Sequence, residues 1–196
     1  VRIHVATDHA GLDFSQQLQR HLAGQGHDVV DHGPAEYDAL DDYPSFCINA
    51  AQAVADDWAA GVEALGVVFG GSGNGEQIAA NKVPGVRAAL VWNLATATLA
   101  REHNNANVIS IGARQHTFDE AVAFIDAFIA EPFPGDDRHV RRISQIAEYE
   151  QTGDIADKDV LPRSGSAVPV LLQPGEVPPT PSTPPASRPV GFSAES

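Results

Sequence analysis

Methionine does not occur in this chain, position 1 included, and cysteine occurs once, at Cys47. A single cysteine excludes any disulfide within the chain, which fits a reducing compartment. The missing methionine leads to the expectation of a non-standard start codon. Lysine occurs only at Lys82 and Lys158, and 12 basic residues face 26 acidic ones, for a formal net charge of −14. A field of that sign repels phosphate backbones and excludes a nucleic-acid partner, while a small phosphorylated ligand remains compatible wherever arginines gather. No apolar run approaches the ~20 residues that span a bilayer. The opening VRIHVATDHAG enters a strand pattern with no basic-plus-apolar leader. The expectation is a cytoplasmic protein with neither a membrane nor a nucleic acid as partner.

What is present is alternation. Short β-branched runs, RIHVAT, HDVVDH, LGVVFG, VRAALV and NVISIG, are separated by helical patterns near 11–24, 44–60, 75–82 and 94–103. Two further helices are expected near 117–130 and 136–150. Gly24, Gly26 and Gly61 stand where helices should stop, and Pro34 and Pro44 punctuate the loop after the second strand. Strands spaced by helices imply a three-layer α/β unit, a five-stranded parallel sheet covered on both faces by right-handed crossovers. The expected strand order is 2-1-3-4-5, with ligands at the carboxyl ends of strands 1 and 3, where the winding reverses. Composition changes near residue 150. Nine of the 14 prolines fall in 151–196, which is too poor in apolar residues to offset its ordering entropy. That segment is read as a disordered, partly polyproline tail behind a domain of residues 1–150.

Strand 1 ends in TDHAG and strand 3 in GGSGNGE, so both reach the expected crevice. The glycine loop is no Walker loop, because Gly75 is followed by Glu76 and Gln77. Nor is it the dinucleotide fingerprint, whose third glycine comes one residue later. A run of unhindered peptide N–H groups leading into a helix start is a nest for negative charge, or else merely a tight turn. Glu76 either complements the helix dipole or serves as a general base beside that nest. The nest lowers its pKa and desolvation raises it. Most of the eight histidines are expected at the surface; His9 and His32 end strands and can face the crevice. Asp8 and His9 could form a metal pair, but no third ligand stands at metal-site spacing, so hydrogen bonding to a polar ligand is the better reading and no metal is expected.

Four blocks, ATDHAG, GGSGNGEQIAANKVPGVRAAL, HNNANVISIGAR and FPGDDRHVRRI, together resemble the ribose-5-phosphate isomerase B family over residues 1–150, tail excluded. The resemblance implies a flavodoxin-like fold, a homodimer, no cofactor, and interconversion of ribose 5-phosphate and ribulose 5-phosphate through an enediolate. One branch of the family carries a cysteine base where this chain has Gly70. The other, common among actinobacterial members, uses a glutamate where Glu76 stands, and this chain is similar to that branch. By the same resemblance Ser72 moves protons on the sugar oxygens, and the loop from Gly71 through Gly73 and Asn74 to Gly75 stabilises the enediolate. Asp8 and His103 match residues that handle and open the sugar ring. His9, Arg138 and Arg142 match the phosphate-binding set, and Asn104 and Arg114 match further substrate contacts. Asn105 replaces an aspartate common in that block.

Topology adds a constraint that does not depend on the family. A helix over 94–103 runs back against the strands, so His103 and Asn104 fall at the amino edge of the sheet; the helix over 117–130 returns Arg138 to that same edge. The glycine loop lies at the opposite edge, a strand length of roughly 17–20 Å away. If His103 and Arg138 serve the site, a second chain must supply them. Arg138 and Arg142 share a helix face suited to a phosphate dianion, and spacing does not exclude Arg141. Three other readings compete. An isomerase of four- or six-carbon sugar phosphates would use the same chemistry, with the 33–46 loop and Tyr43 setting the pocket. A flavin-binding module lacks its hydroxyl-rich loop after strand 1. A phosphoacceptor receiver lacks its aspartate at Gly70 and its lysine near Arg114.

Overall fold

The computed structural model describes residues 1–154, and its five apolar runs pair as one parallel sheet. The strands are β1 (Arg2–Thr7), β2 (Asp28–Asp31), β3 (Ala64–Gly70), β4 (Ala88–Leu90) and β5 (Val108–Gly112). The helices are α1 (Leu12–Gly24), preceded by a 3-10 turn at His9–Gly11, then α2 (Tyr43–Ala59), α3 (Asn74–Ala80), α4 (Leu94–Asn104), α5 (Phe118–Ala130) and α6 (Asp137–Thr152). Successive strand side chains point to opposite faces, and both faces are apolar. Leu65, Val67 and Phe69 of β3 pack with Leu18 and Leu22 of α1 and with Ile125 and Phe128 of α5. Val68 packs on the other face with Cys47, Ala50 and Val54 of α2 and Ala80 of α3. The helix starts follow local chemistry. Asn93 and Thr96 form a capping box on α4, and Thr117 and Glu120 form another on α5.

The sheet order is β2-β1-β3-β5-β4, so the expected exchange-free order 2-1-3-4-5 is corrected at its far end. β5 pairs with β3 from Gly66↔Val108 to Gly70↔Gly112, and β4 lies outside it. The cause is burial. All five β5 residues are buried, whereas β4 has only three residues, two of them half-exposed. An interior position needs a strand that is apolar on both faces, and β5 fits it better. The winding still reverses between β1 and β3.

Helix α6 continues to Thr152 and stops at Gly153, whose φ of +73° suits a helix-ending glycine. Beyond Asp154 the proline-rich segment expected over 151–196 lies outside the described residues. Among those residues no helix is long and apolar enough to cross a membrane. Of the eight histidines, two, His4 and His139, are buried. His4 sits in β1, donates from Nε2 to Asp57 at 3.0 Å and shares a 2.9 Å hydrogen bond between its Nδ1 and His32 Nε2, while Arg2 donates to both oxygens of Asp57. His32 is thereby turned to His4, not to the crevice.

Candidate active site

Glu76 enters the first turn of α3 from a loop that only glycine can build. Gly73, the residue before the helix, has φ +79°, and a Cβ there would lie 2.9 Å from the Ile111 carbonyl carbon. The loop carbonyls are tied to β5 and the segment after it. Ala113 N donates to Gly70 O at 2.8 Å, Arg114 N to Gly71 O at 3.2 Å and Ser110 Oγ to Gly73 O at 2.7 Å. In a planar trans peptide the next N–H points opposite to the carbonyl. The amides of Gly71 and Ser72 are therefore aimed away from β5. Ser72 is exposed, and its Oγ accepts from Asn74 N and Nδ2 at 3.3 and 3.2 Å.

The carboxylate of Glu76 folds back over the loop and takes the space where a side chain at position 70 would begin: a Cβ on Gly70 would collide with Glu76 Oε1. Glu76 is only 4 % exposed. Burial, opposed by its own backbone N–H and reinforced by nearby Asp8, holds its pKa above the ordinary carboxylate value. The contest between nest and desolvation is thus decided for desolvation. Gly75 lies under the ring of Tyr43, which a Cβ would meet at 2.5 Å, so the 33–46 segment closes on the turn that carries Glu76. Cys47 is buried nearby. Burial, with the charges of Glu76 and Asp8, pushes its thiol up to about 12, which leaves it no thiolate to act with. A Gly70→Ala variant is expected to fold, because the clashing atoms are the end of a flexible side chain. It should lose on the order of 10-fold or more in kcat as the carboxylate is displaced; steady-state kinetics and a melting curve check both halves.

Asp8 and His9 flank the same crevice from the end of β1. Asp8 caps the 3-10 turn, accepting from Ala10 N at 2.9 Å, and is 8 % exposed. His9 lines a cavity of about 510 Å³ with Tyr37, Phe14 and Ala113. Arg114 completes this edge, its guanidinium in van der Waals reach of where a Cβ on Gly71 would lie, Nη1 at 3.6 Å. A residue invisible to local spacing arrives from the 33–46 loop: Asp41 Oδ1 lies 2.6 Å from His9 Nδ1 and accepts from His9 N at 3.1 Å. Ligand-type atoms of Asp8, His9 and Asp41 all lie within 4.8 Å of one another, so the expectation of no third ligand is corrected. The 2.6 Å contact is nevertheless a charge-assisted hydrogen bond, and it occupies the ring nitrogen that faces the acids.

The remaining site residues gather elsewhere. His103, near the end of α4, stacks on His139 of α6 with centroids 4.4 Å apart and planes at 12°. His139 accepts from Arg138 Nε at 3.1 Å. Burial first, then Arg138, His103 and Arg142, opposed by Asp136, lower the pKa of His139, which accords with its accepting from Arg138. Asn104 gives its carbonyl to Arg87 just ahead of β4, so this group belongs to the amino edge of the sheet. Arg138 and Arg142 are exposed. Within one chain, then, Asp8, His9, the 71–75 loop, Glu76 and Arg114 come together, while His103, Asn104, Arg138 and Arg142 do not join them. Sequence reading missed Asp41 and His139. The only signal for His139 was its place among arginines on the α6 face.

The sequence model of the Ribose/Galactose Isomerase family matches residues 3–146. Ribose-5-phosphate isomerase B of Mycolicibacterium paratuberculosis is 55% identical over 153 residues, 78% of this chain and 93% of that protein. The protein of the same name from Escherichia coli is 33% identical, over 76% of this chain and 97% of its own. Among solved structures, ribose-5-phosphate isomerase B from Mycoplasma genitalium with bound ribulose-5-phosphate is similar at a TM-score of 0.72 and 41% identity, covering 77% of this chain and 97% of that one.

Proposed function

The chain belongs to the ribose-5-phosphate isomerase B family, and we propose on that premise that it interconverts ribose 5-phosphate and ribulose 5-phosphate with Glu76 as the proton carrier. The observation that carries the assignment of roles is the Glu76 carboxylate, desolvated and folded over Gly70 at the carboxyl ends of the strands. Asp8 and His103 of the partner subunit open the sugar ring. Glu76 then takes the proton from C2 of the open aldose. The electron pair moves onto the carbonyl oxygen, and the enediolate lies against the amides of Gly71 to Gly75. Ser72 shifts the hydroxyl protons, and Glu76 returns its proton at C1, leaving the ketose. His9, with Arg138 and Arg142 of the partner subunit, holds the phosphate, and Arg114, with Asn104 of the partner subunit, makes further contacts with the sugar. Anchoring the far end in this way makes the proton transfer intramolecular.

A homodimer with a shared site is supported by two observations. His103 and Arg138 lie at the edge opposite Glu76, and α4 and α6 expose Leu94, Leu99, Val140, Ile146 and Tyr149. The isomerase domain is residues 1–150 and needs no cofactor. The lone buried Cys47 is consistent with work in the cytoplasm. The test is a panel of four-, five- and six-carbon aldose phosphates turned over in deuterated water. Turnover should be best with ribose 5-phosphate, and solvent deuterium should appear on the reacting carbons. Faster turnover of a six-carbon substrate would move the specificity, and no incorporation from any of them would remove the proton-transfer mechanism.

A further inference from the structure

We propose that Asp41 is a positioning residue that holds His9 as an imidazolium, its Nε2–H turned to the substrate phosphate. The inference rests on the reading of His9 as a phosphate ligand and adds what makes that ligand work at neutral pH. Asp41 Oδ1 takes both His9 Nδ1, at 2.6 Å, and His9 N, at 3.1 Å, so one carboxylate oxygen fixes ring and backbone together. The other oxygen, Oδ2, is fully buried and has no hydrogen-bond partner among the described residues. A carboxylate in that position needs a compensating charge, and the imidazolium is the nearest one.

The charge state matters for a specific reason. A neutral ring that donates from Nδ1 has an acceptor at Nε2, which a phosphate dianion repels; the protonated ring has a donor there. The surroundings agree. The hydrogen bond to Asp41 raises the pKa of His9, burial lowers it, Asp8 raises it again and Arg114 opposes. Asp13 shares the cavity wall, and the uncharged ring of Tyr37 meets His9 edge-on at 5.9 Å. Asp41 also stands two residues before Tyr43, whose ring covers Gly75. The loop that charges the phosphate ligand is therefore the loop that roofs the catalytic turn.

The full chain is compared with Asp41→Asn, which keeps the shape and removes the charge, and with His9→Gln. The ring C–H resonances of His9 are followed against pH, and the binding of inorganic phosphate and the kinetics with ribose 5-phosphate are measured. In Asp41→Asn the titration of His9 should fall to or below the ordinary value of about 6.5. Phosphate binding and KM should worsen at least about tenfold near pH 8, recover near pH 6, and leave kcat within about threefold. A His9 titration unmoved by Asp41→Asn, or a KM penalty equal at both pH values, would overturn the proposal. Phosphate binding unchanged in His9→Gln would instead remove the underlying ligand role. Phosphate binding that depends on His9 and Asp41 without any isomerase turnover would separate this clamp from the enzymatic reading.

Discussion

Glu76→Gln lowers kcat for ribose 5-phosphate by at least about 10²-fold, with little change in KM, because it removes a positioned base and nothing else. Gln has the shape of Glu, and the side chain is 4 % exposed in a fitted recess over Gly70, so the fold has no reason to change. The same variant carries a stability signature with a definite sign. Burial lifts the carboxyl of Glu76 above its ordinary value near 4.5, so the folded chain binds that proton more tightly than the unfolded chain. Stability is then lost as pH rises from the ordinary value through the folded one. Glu76→Gln has no such loss, and its melting temperature should exceed that of the parent above this window and match it below. Thermal unfolding across a pH series measures the difference. A gap independent of pH would mean that the carboxylate is not desolvated in solution, and full activity in the variant would remove Glu76 from the chemistry.

The second large effect is a recovery. Glu76→Gln and His103→Ala chains, each inactive alone, should regain about a quarter of the parental activity when mixed equally and allowed to exchange. Random pairing makes half the dimers mixed, and each mixed dimer has one of its two sites intact. The reason is distance. β3 and β5 end side by side at Gly70 and Gly112, and the five residues of β5 rise about 3.3 Å each, so an interval near 16 Å separates the edge of the glycine loop from the edge where His103 stacks on His139. No histidine side chain spans that within one chain. Mixing is followed by activity, with exchange confirmed by mass-tagged chains; exchange without recovery would assign both groups to one protomer or exclude His103.

Much of this was legible in the residues because alternation and punctuation are local. GGSGNGE announced a bare loop before a helix, and α3 begins there at Asn74. The strand order was less legible at its far end. VRAALV and NVISIG are equally apolar short runs, and what separates them is that β4 keeps only three residues, two of them half-exposed, while all five of β5 are buried, a tertiary fact. Asp41 was hidden for a related reason. It lies 32 residues beyond His9 in a loop of polar residues, and only the closure of that loop brings them together. His139 is surrounded in sequence by charge yet buried, because α6 lays that one position against His103. Glu76 differs again: residue types name the opposing influences on its proton, and only the packing around it weighs them.

The recess over Gly70 also constrains ancestry. One small volume can house an acidic group reaching in from position 76, or a thiol rooted at position 70, but not the two together. A lineage exchanging one for the other by single replacements meets either a steric conflict or an empty recess. Positions 70 and 76 are in this sense coupled, so that a side chain gained at the first asks for a change at the second.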